Sequence, residues 1–211
     1  MRQYRGCSRL YYALVTEDPT TGVATYGTPK QLAPVKSVSR DISGDNEKVF
    51  ADNVLQQETY GATTITRTFE TTRIDAEVIA ELMGSDITTI GSGTSAKKLF
   101  GTKPDGSSRP YVAIGYALHD GDVDNPCELV WAFKGKVNSI SKSSATIDDG
   151  TGSEGQSVEI QFVAPKVAFT ATSKRDLDIS LQLDPSASNA DLVEDWFEQV
   201  VTFDNASTVL A

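Results

Sequence analysis

One histidine, two cysteines and scattered carboxylates are the groups from which this chain would have to build any chemistry. His119 opens the segment 119–126, which reads as the connector between two apolar strands. It is therefore expected as a solvated loop residue with no partner acid or base. Beside it, Asp120, Gly121, Asp122, Val123, Asp124 and Asn125 resemble the opening of a calcium loop. A calcium loop needs glycine at its sixth position and a bidentate glutamate at its twelfth, which are Asn125 and Trp131 here, so the run reads as an acidic hairpin tip. A hydrolase built on Asp120 and Asp124 would lack anything to position a substrate. Gly91, Gly93, Gly101 and Gly106 match neither Gly-x-Gly-x-x-Gly nor Gly-Lys-Ser/Thr, and read as turn residues. Cys7 and Cys127 do not amount to a disulfide framework. No catalytic, cofactor-binding or metal-binding residue is assigned, and the chain is read as a non-enzyme.

Tyr11, Tyr12, Tyr111, Tyr116 and Trp131 could form a sugar-stacking platform, which would make the chain a β-sandwich adhesin or carbohydrate-binding surface protein. Strand aromatics more often fill a core or an interface, because they fit a pleated, half-buried surface. A net charge of −10 argues against tight nucleic-acid binding, which lysine and arginine carry by neutralising phosphates. Arg2, Arg5 and Arg9 precede an apolar run, but that run ends at Val15 and no small-residue cleavage site follows. No stretch approaches the roughly 20 apolar residues that span a bilayer. The expectation is a soluble protein made in the cytoplasm, with no membrane anchor.

The elements that would position these residues are mostly strands. Short runs of Thr, Ser, Val, Tyr and Ile alternate with Gly, Pro, Asp and Asn, so the expected fold is mainly β: a β-sandwich or partial barrel of antiparallel strands. In 62–72, Thr63, Ile65, Arg67, Phe69 and Thr71 share one face, with Thr64, Thr66, Thr68 and Glu70 opposite. Segments 109–118 and 127–137 are the strongest strands, and 158–164 with 167–172 should form a further pair split by Pro165. A short helix is expected at about 75–83, capped by Asp75, stapled by Ile74 and Ile79, and stopped by Gly84. A C-terminal helix at about 189–201 carries Leu192, Val193, Trp196, Phe197 and Val200 on one stripe. Trp196 and Phe197 are its candidate packing or subunit-interface residues. The domain plan is a basic arm (1–9), a β domain (10–188), and a C-terminal helix with tail (189–211). Segments 1–9, 91–95 and 141–156 read as mobile or loop-like. Within the β domain, 41–53 is polar, too long for a tight turn, and of the kind that usually touches something.

Several blocks together resemble the major tail proteins of long-tailed bacteriophages, the subunits of the tail tube. They are 10–18 (Leu-Tyr-Tyr-Ala-Leu-Val-Thr-Glu-Asp), 25–33 (Thr-Tyr-Gly-Thr-Pro-Lys-Gln-Leu-Ala) and 49–53 (Val-Phe-Ala-Asp-Asn). They continue with 74–84, where the family has its short helix, then 109–116 with 131–137, and 174–178 with Asp195, Trp196 and Phe197. The leader 1–9 and the tail after Val201 depart from the family pattern. The resemblance implies a homo-oligomer of hexameric rings stacked into a tube. It implies tape-measure and tail-tip or terminator proteins as partners, and DNA that passes through the lumen without tight binding. It places the protein in the virion, assembled in the host cytoplasm. In related tube proteins an extended loop reaches the neighbouring ring, which makes Asp41, Ser43, Asp45, Asn46, Glu47, Lys48 and Asp52 the inter-ring contact candidates. Ring closure would cover strand edges that are otherwise an aggregation hazard, and acidic lumen residues would keep DNA from sticking.

Overall fold

The computed structural model describes residues 4–44, 46–51, 54–93, 96–121, 125–143, 155–184 and 189–210. The fold is mainly β, with few short helices. In chain order the strands are β1 (Gly6–Glu17), β2 (Ala24–Tyr26), β3 (Lys30–Gln31), β4 (Val35–Ser43), β5 (Asn46–Ala51), β6 (Val54–Tyr60) and β7 (Thr64–Thr71). After helix α1 (Ala76–Met83) come β8 (Ile87–Ile90), β9 (Lys97–Phe100), β10 (Tyr111–His119), β11 (Glu128–Lys142), β12 (Gln156–Phe162) and β13 (Asp178–Gln182). Helices α2 (Ala190–Glu198) and α3 (Ala206–Val209) end the chain.

One large antiparallel sheet runs β2–β1–β10–β11–β12–β7–β4, with β3 also on β1 and β13 also on β11. It curls until β4 lies beside β1 without pairing to it, giving the partial barrel. Strand β11 is long enough to serve two neighbours on one edge. Its first half pairs with β13 and its second half with β12.

The strongest strands bury both faces, which is why they read as nearly continuous apolar runs. Alternate residues separate into two clusters, as the strand period requires. Inside the curl, Tyr12, Ile114, Tyr116, Val130, Ile160 and Phe162 pack with Phe69 and with Leu82 of α1. On the outer face, Ala13, Ala113, Ala117, Leu129, Trp131 and Phe133 are covered by Val193, Trp196 and Phe197 of α2. Strand β7 follows its alternation: Ile65, Arg67, Phe69 and Thr71 are buried, while their neighbours are exposed or half-buried.

Helix α1 starts after Asp75, whose side chain makes no capping bond, and stops at Gly84. Gly84 has φ +62°, and a Cβ there would sit 2.3 Å from the Ser108 carbonyl oxygen, so this stop needs glycine on both counts. Helix α2 ends at Glu198, earlier than its apolar stripe suggests, because Val200 and Val201 continue into the outer cluster as non-helical chain.

Several expectations are corrected. The polar stretch 41–53 is mostly strand rather than loop where it is described: β4 reaches Ser43, Gly44 is irregular, and β5 pairs with β6. Since Ser43 faces Thr64 and Asn46 faces Tyr60, β4–β5 and β6–β7 form one long two-stranded ribbon. The described part of the arm, 4–9, is not free, because Gly6, Cys7 and Ser8 pair with His119, Leu118 and Ala117, while 1–3 lie outside the described residues. His119 is the last residue of β10 rather than a loop residue, and is 6% exposed. Segment 167–172 is not a strand. Phe169 turns the chain by accepting a bond from Ser173 N at 2.8 Å and donating to Lys174 O, and β12, its expected partner strand, pairs instead with β11 and β7. Of segment 91–95, residues 91–93 follow β8 of a β8–β9 hairpin not anticipated from sequence, while 94–95 lie outside the described residues. Of segment 141–156, expected to be loop-like, residues 141–142 extend β11 and Gln156 opens β12, while 144–154 lie outside the described residues.

Candidate functional site

The described residues bring no catalytic set together. His119 shares a hydrogen bond with Ser8 Oγ at 2.7 Å, where β1 and β10 meet. Cys7 and Cys127 are free thiols, each half-buried. Among the described residues no three His, Cys, Asp or Glu side chains gather to hold a metal ion, and no helix is long and apolar enough to cross a membrane. Asp120 is half-buried, and Asp122 and Asp124 lie outside the described residues.

Charge is instead used as internal cement. Arg67, 1% exposed on the inner face of β7, donates to the Tyr116 hydroxyl and to Asp178 of β13. Its guanidinium lies 5.2 Å from the Tyr116 ring centroid and 5.8 Å from that of Phe162. Arg40 of β4 reaches the same Asp178 oxygen at 3.2 Å. This network occupies the place where β12 has left β11 and β13 has taken over, and so joins the paired strands β4 and β7 to β10 and β13, which are not their neighbours in the sheet. It borders a cavity of about 290 Å³ lined by Tyr4, Arg40, Arg67, Tyr116, Glu128 and Asp178. Two cations and two carboxylates leave that lining without net charge, which does not select an anionic or cationic ligand. Burial pushes the Tyr116 hydroxyl up from its ordinary range, and its hydrogen bond to Glu128 is the main reason the Tyr4 phenol is pushed up to about 12.

On the outer side, Glu17 is buried between Lys134, which donates to it, and Lys166 at 3.3 Å. Burial raises the Glu17 carboxyl, but the two ammonium groups outweigh burial and hold it below the usual carboxylate range. Lys134 Nζ also sits 4.6 Å from the Tyr111 ring centroid.

The surfaces offer more than the interior. The β4–β7 ribbon leaves the sheet at Ser43 and Thr64, whose hydroxyls lie 3.0 Å apart. Its outer strand β5 is six residues long, about 20 Å at roughly 3.3 Å per residue. Gln56, Gln57, Glu58 and Thr59 are all exposed, so β6 is wet on both faces. Of the inter-ring candidates, Asp41 and Ser43 are exposed on β4, and Asn46, Glu47 and Lys48 lie on β5. Lys48 pairs with Glu58 across the ribbon at 3.4 Å. Asp45 and Asp52 lie outside the described residues. Ile42 and Val54, at 59% and 58% exposed, add apolar area to this arm.

Trp196 and Phe197 sit on the protein's own sheet rather than facing out. Trp131 Nε1 donates to Trp196 O at 3.0 Å, and Phe197 stacks on Tyr11 with centroids 5.1 Å apart. Sequence reasoning missed the β8–β9 hairpin, where Ile87, Ile90, Leu99 and Phe100 are all exposed. The signal available was Leu99-Phe100 following Lys97-Lys98, with a Gly91 to Gly93 turn before it.

No family model matches the sequence, and no curated protein matches it. Three solved structures are similar in fold. A chain of the extended sheath–tube complex of an extracellular contractile injection system aligns with TM-score 0.40 and 14% identity, over 83% of this chain and 90% of that one. A chain of the anti-feeding prophage cap, which terminates its tube, aligns with TM-score 0.40 and 11% identity, over 87% and 95%. A chain of the anti-feeding prophage baseplate aligns with TM-score 0.36 and 8% identity, over 86% and 98%. These are distant likenesses, and the function proposed below rests on the chain's own surfaces.

Proposed function

We propose that this chain is a non-enzymatic structural subunit of a bacteriophage tail tube, which self-assembles into hexameric rings that stack to form a conduit for DNA. The observation that carries the reading is the β4–β7 ribbon. Its outer part, β5 with β6, lies outside the main sheet and carries exposed polar and apolar side chains, and these two strands have no further partner within the described residues. An arm of this length gains nothing for the fold of one subunit, since an isolated two-stranded ribbon is marginal in water. It gains a great deal if another subunit covers it. The resemblance of the blocks quoted above to tail tube proteins points to the same use.

In this reading the ribbon residues Asp41, Ser43, Asp45, Asn46, Glu47, Lys48 and Asp52 form the inter-ring contact. Tape-measure and tail-tip or terminator proteins are the other partners, and the protein belongs to the virion after assembly in the host cytoplasm. The net charge of −10 supplies a non-adhesive lumen, because phosphate contacts would otherwise hold passing DNA in place.

Electron microscopy of the concentrated protein is the test, with stacked rings around a central channel as the expected result. A second preparation replaces 44–63 by Asn-Gly, which suits a two-residue hairpin between Ser43 and Thr64. It should fold and form rings that no longer stack. A wild-type chain that remains monomeric at every concentration overturns the proposal, and normal tube growth by the shortened chain overturns the role of the ribbon.

A further inference from the structure

The β8–β9 hairpin forms a two-stranded sheet of its own, apart from both the main sheet and the ribbon. Both of its strands are exposed along their whole length, on both faces. Ile87 faces Phe100 across the hairpin, and Leu99 lies diagonally from Ile90 on the opposite face, so each face presents an apolar pair. Residues 87–103 also carry Lys97, Lys98 and Lys103 and no carboxylate, within a chain of net charge −10. Lys98 pairs with Glu77 of α1, and Lys103 with Asp86 at 3.1 Å; both pairs are solvent-exposed and readily exchanged.

The complementary surface is on the same chain. Asp191, Glu194, Asp195 and Glu198 are exposed on α2 at the i, i+3, i+4, i+7 spacing of a single helix face. Among the described residues none of them makes an ion pair, and no basic residue follows Arg175 in the sequence. Like charges at this spacing repel, so the face gains from an external cation.

One copy cannot bring the two together. The hairpin is tied through Lys98 to α1, which packs on the cluster inside the curl, whereas α2 covers the outer face of the same sheet. We propose that the β8–β9 hairpin of one subunit docks on the α2 face of a second copy of this chain, with Ile90 and Leu99 as apolar anchors and Lys97, on the same face, set against the carboxylate stripe, while Lys98 on the opposite face keeps its pair with Glu77. Two different patches joined head to tail make a heterologous contact, which closes into a ring when the rotation permits. The contact is therefore lateral, within a ring, and distinct from the ribbon contact between rings. It rests on the self-assembly reading above.

The test measures the concentration at which rings form, by sedimentation velocity with electron microscopy of the same samples. Ile90→Ser with Leu99→Ser, and separately Lys97→Glu, should each raise that concentration about tenfold or more. Thermal unfolding of the monomer should stay unchanged, because these side chains are exposed. Adding Glu194→Lys with Asp195→Lys to the lysine variant should restore ring formation. If the wild type forms rings and the variants do so equally well, the hairpin serves some other partner and the inference is overturned while the tube reading stands. Rings that persist but fail to stack, or absence of rescue by charge reversal, overturn it too. A wild type that never assembles overturns both.

Discussion

Glu17 shows how a single side chain ties charge to the fold. The carboxyl is held below its ordinary range despite burial, so the folded state binds its proton less readily than the unfolded chain. Its contribution is therefore complete above about pH 4.5 and is lost as the pH falls through the lowered folded value. Glu17→Gln should cost about 3 kcal/mol near neutrality, because Lys134 is left buried without its partner. Part of the acid limb of the stability curve should vanish in the same variant, which urea unfolding from pH 3 to 7 will show. Gly115 makes a different demand on space. It faces Trp131 across β10 and β11, and a Cβ would lie 2.7 Å from the indole. Gly115→Ala should destabilise by about 1–3 kcal/mol through overpacking, read as a lower urea midpoint at an unchanged slope.

Among the elements, β13 is the one whose place depends most on a single interaction. It pairs with β11 alone, and Asp178 at its start holds Arg67 of β7 and Arg40 of β4. Asp178→Ala should cost about 3–5 kcal/mol, since Arg67 would remain charged and buried, whereas Arg67→Met should be nearly neutral by comparison. Equal losses in chemical denaturation would show that the pair itself, rather than the uncompensated cation, carries the effect. The same scale explains what the sequence concealed. The alternation of β7 and the stripe of α2 are local periodicities and are legible in the sequence, apart from the end of α2 at Glu198. The β4–β7 ribbon was not, because Ser43, Gly44 and Asn46 have turn-like composition and only pairing with Thr64 and Tyr60 makes their neighbourhood strand. His119 was misplaced for a similar reason: its burial comes from Gly6 and Ser8, more than a hundred positions away.

At the scale of the whole molecule, acidic charge and projecting ribbons serve one proposal. If assembled tubes carry a non-adhesive lumen, duplex DNA added at about 50 mM salt should neither bind nor be retained, since adhesion requires lysine and arginine contacts to phosphate. DNA that binds the tubes and is released as salt rises would mean a basic lumen and would remove that part of the proposal. Reversing charge on the β8–β9 hairpin would leave this result unaltered while shifting ring formation, which separates the wall of the channel from the joints between subunits.

By itself the sequence determined the class of architecture, the two helices with their apolar faces, the acidic balance and the poverty of catalytic groups. Each of these is a property of composition or short-range period, and neighbouring residues suffice to express it. Tertiary structure alone decided that β11 divides one edge between β12 and β13, that Arg67 is a buried strut, and that Trp196 and Phe197 are inside rather than at an interface. It also decided that an apolar, lysine-bearing hairpin and an acidic helix face stand on opposite sides of one sheet. These facts depend on which distant strands share hydrogen bonds, and pairing over such separations leaves no periodic trace in the chain that carries it.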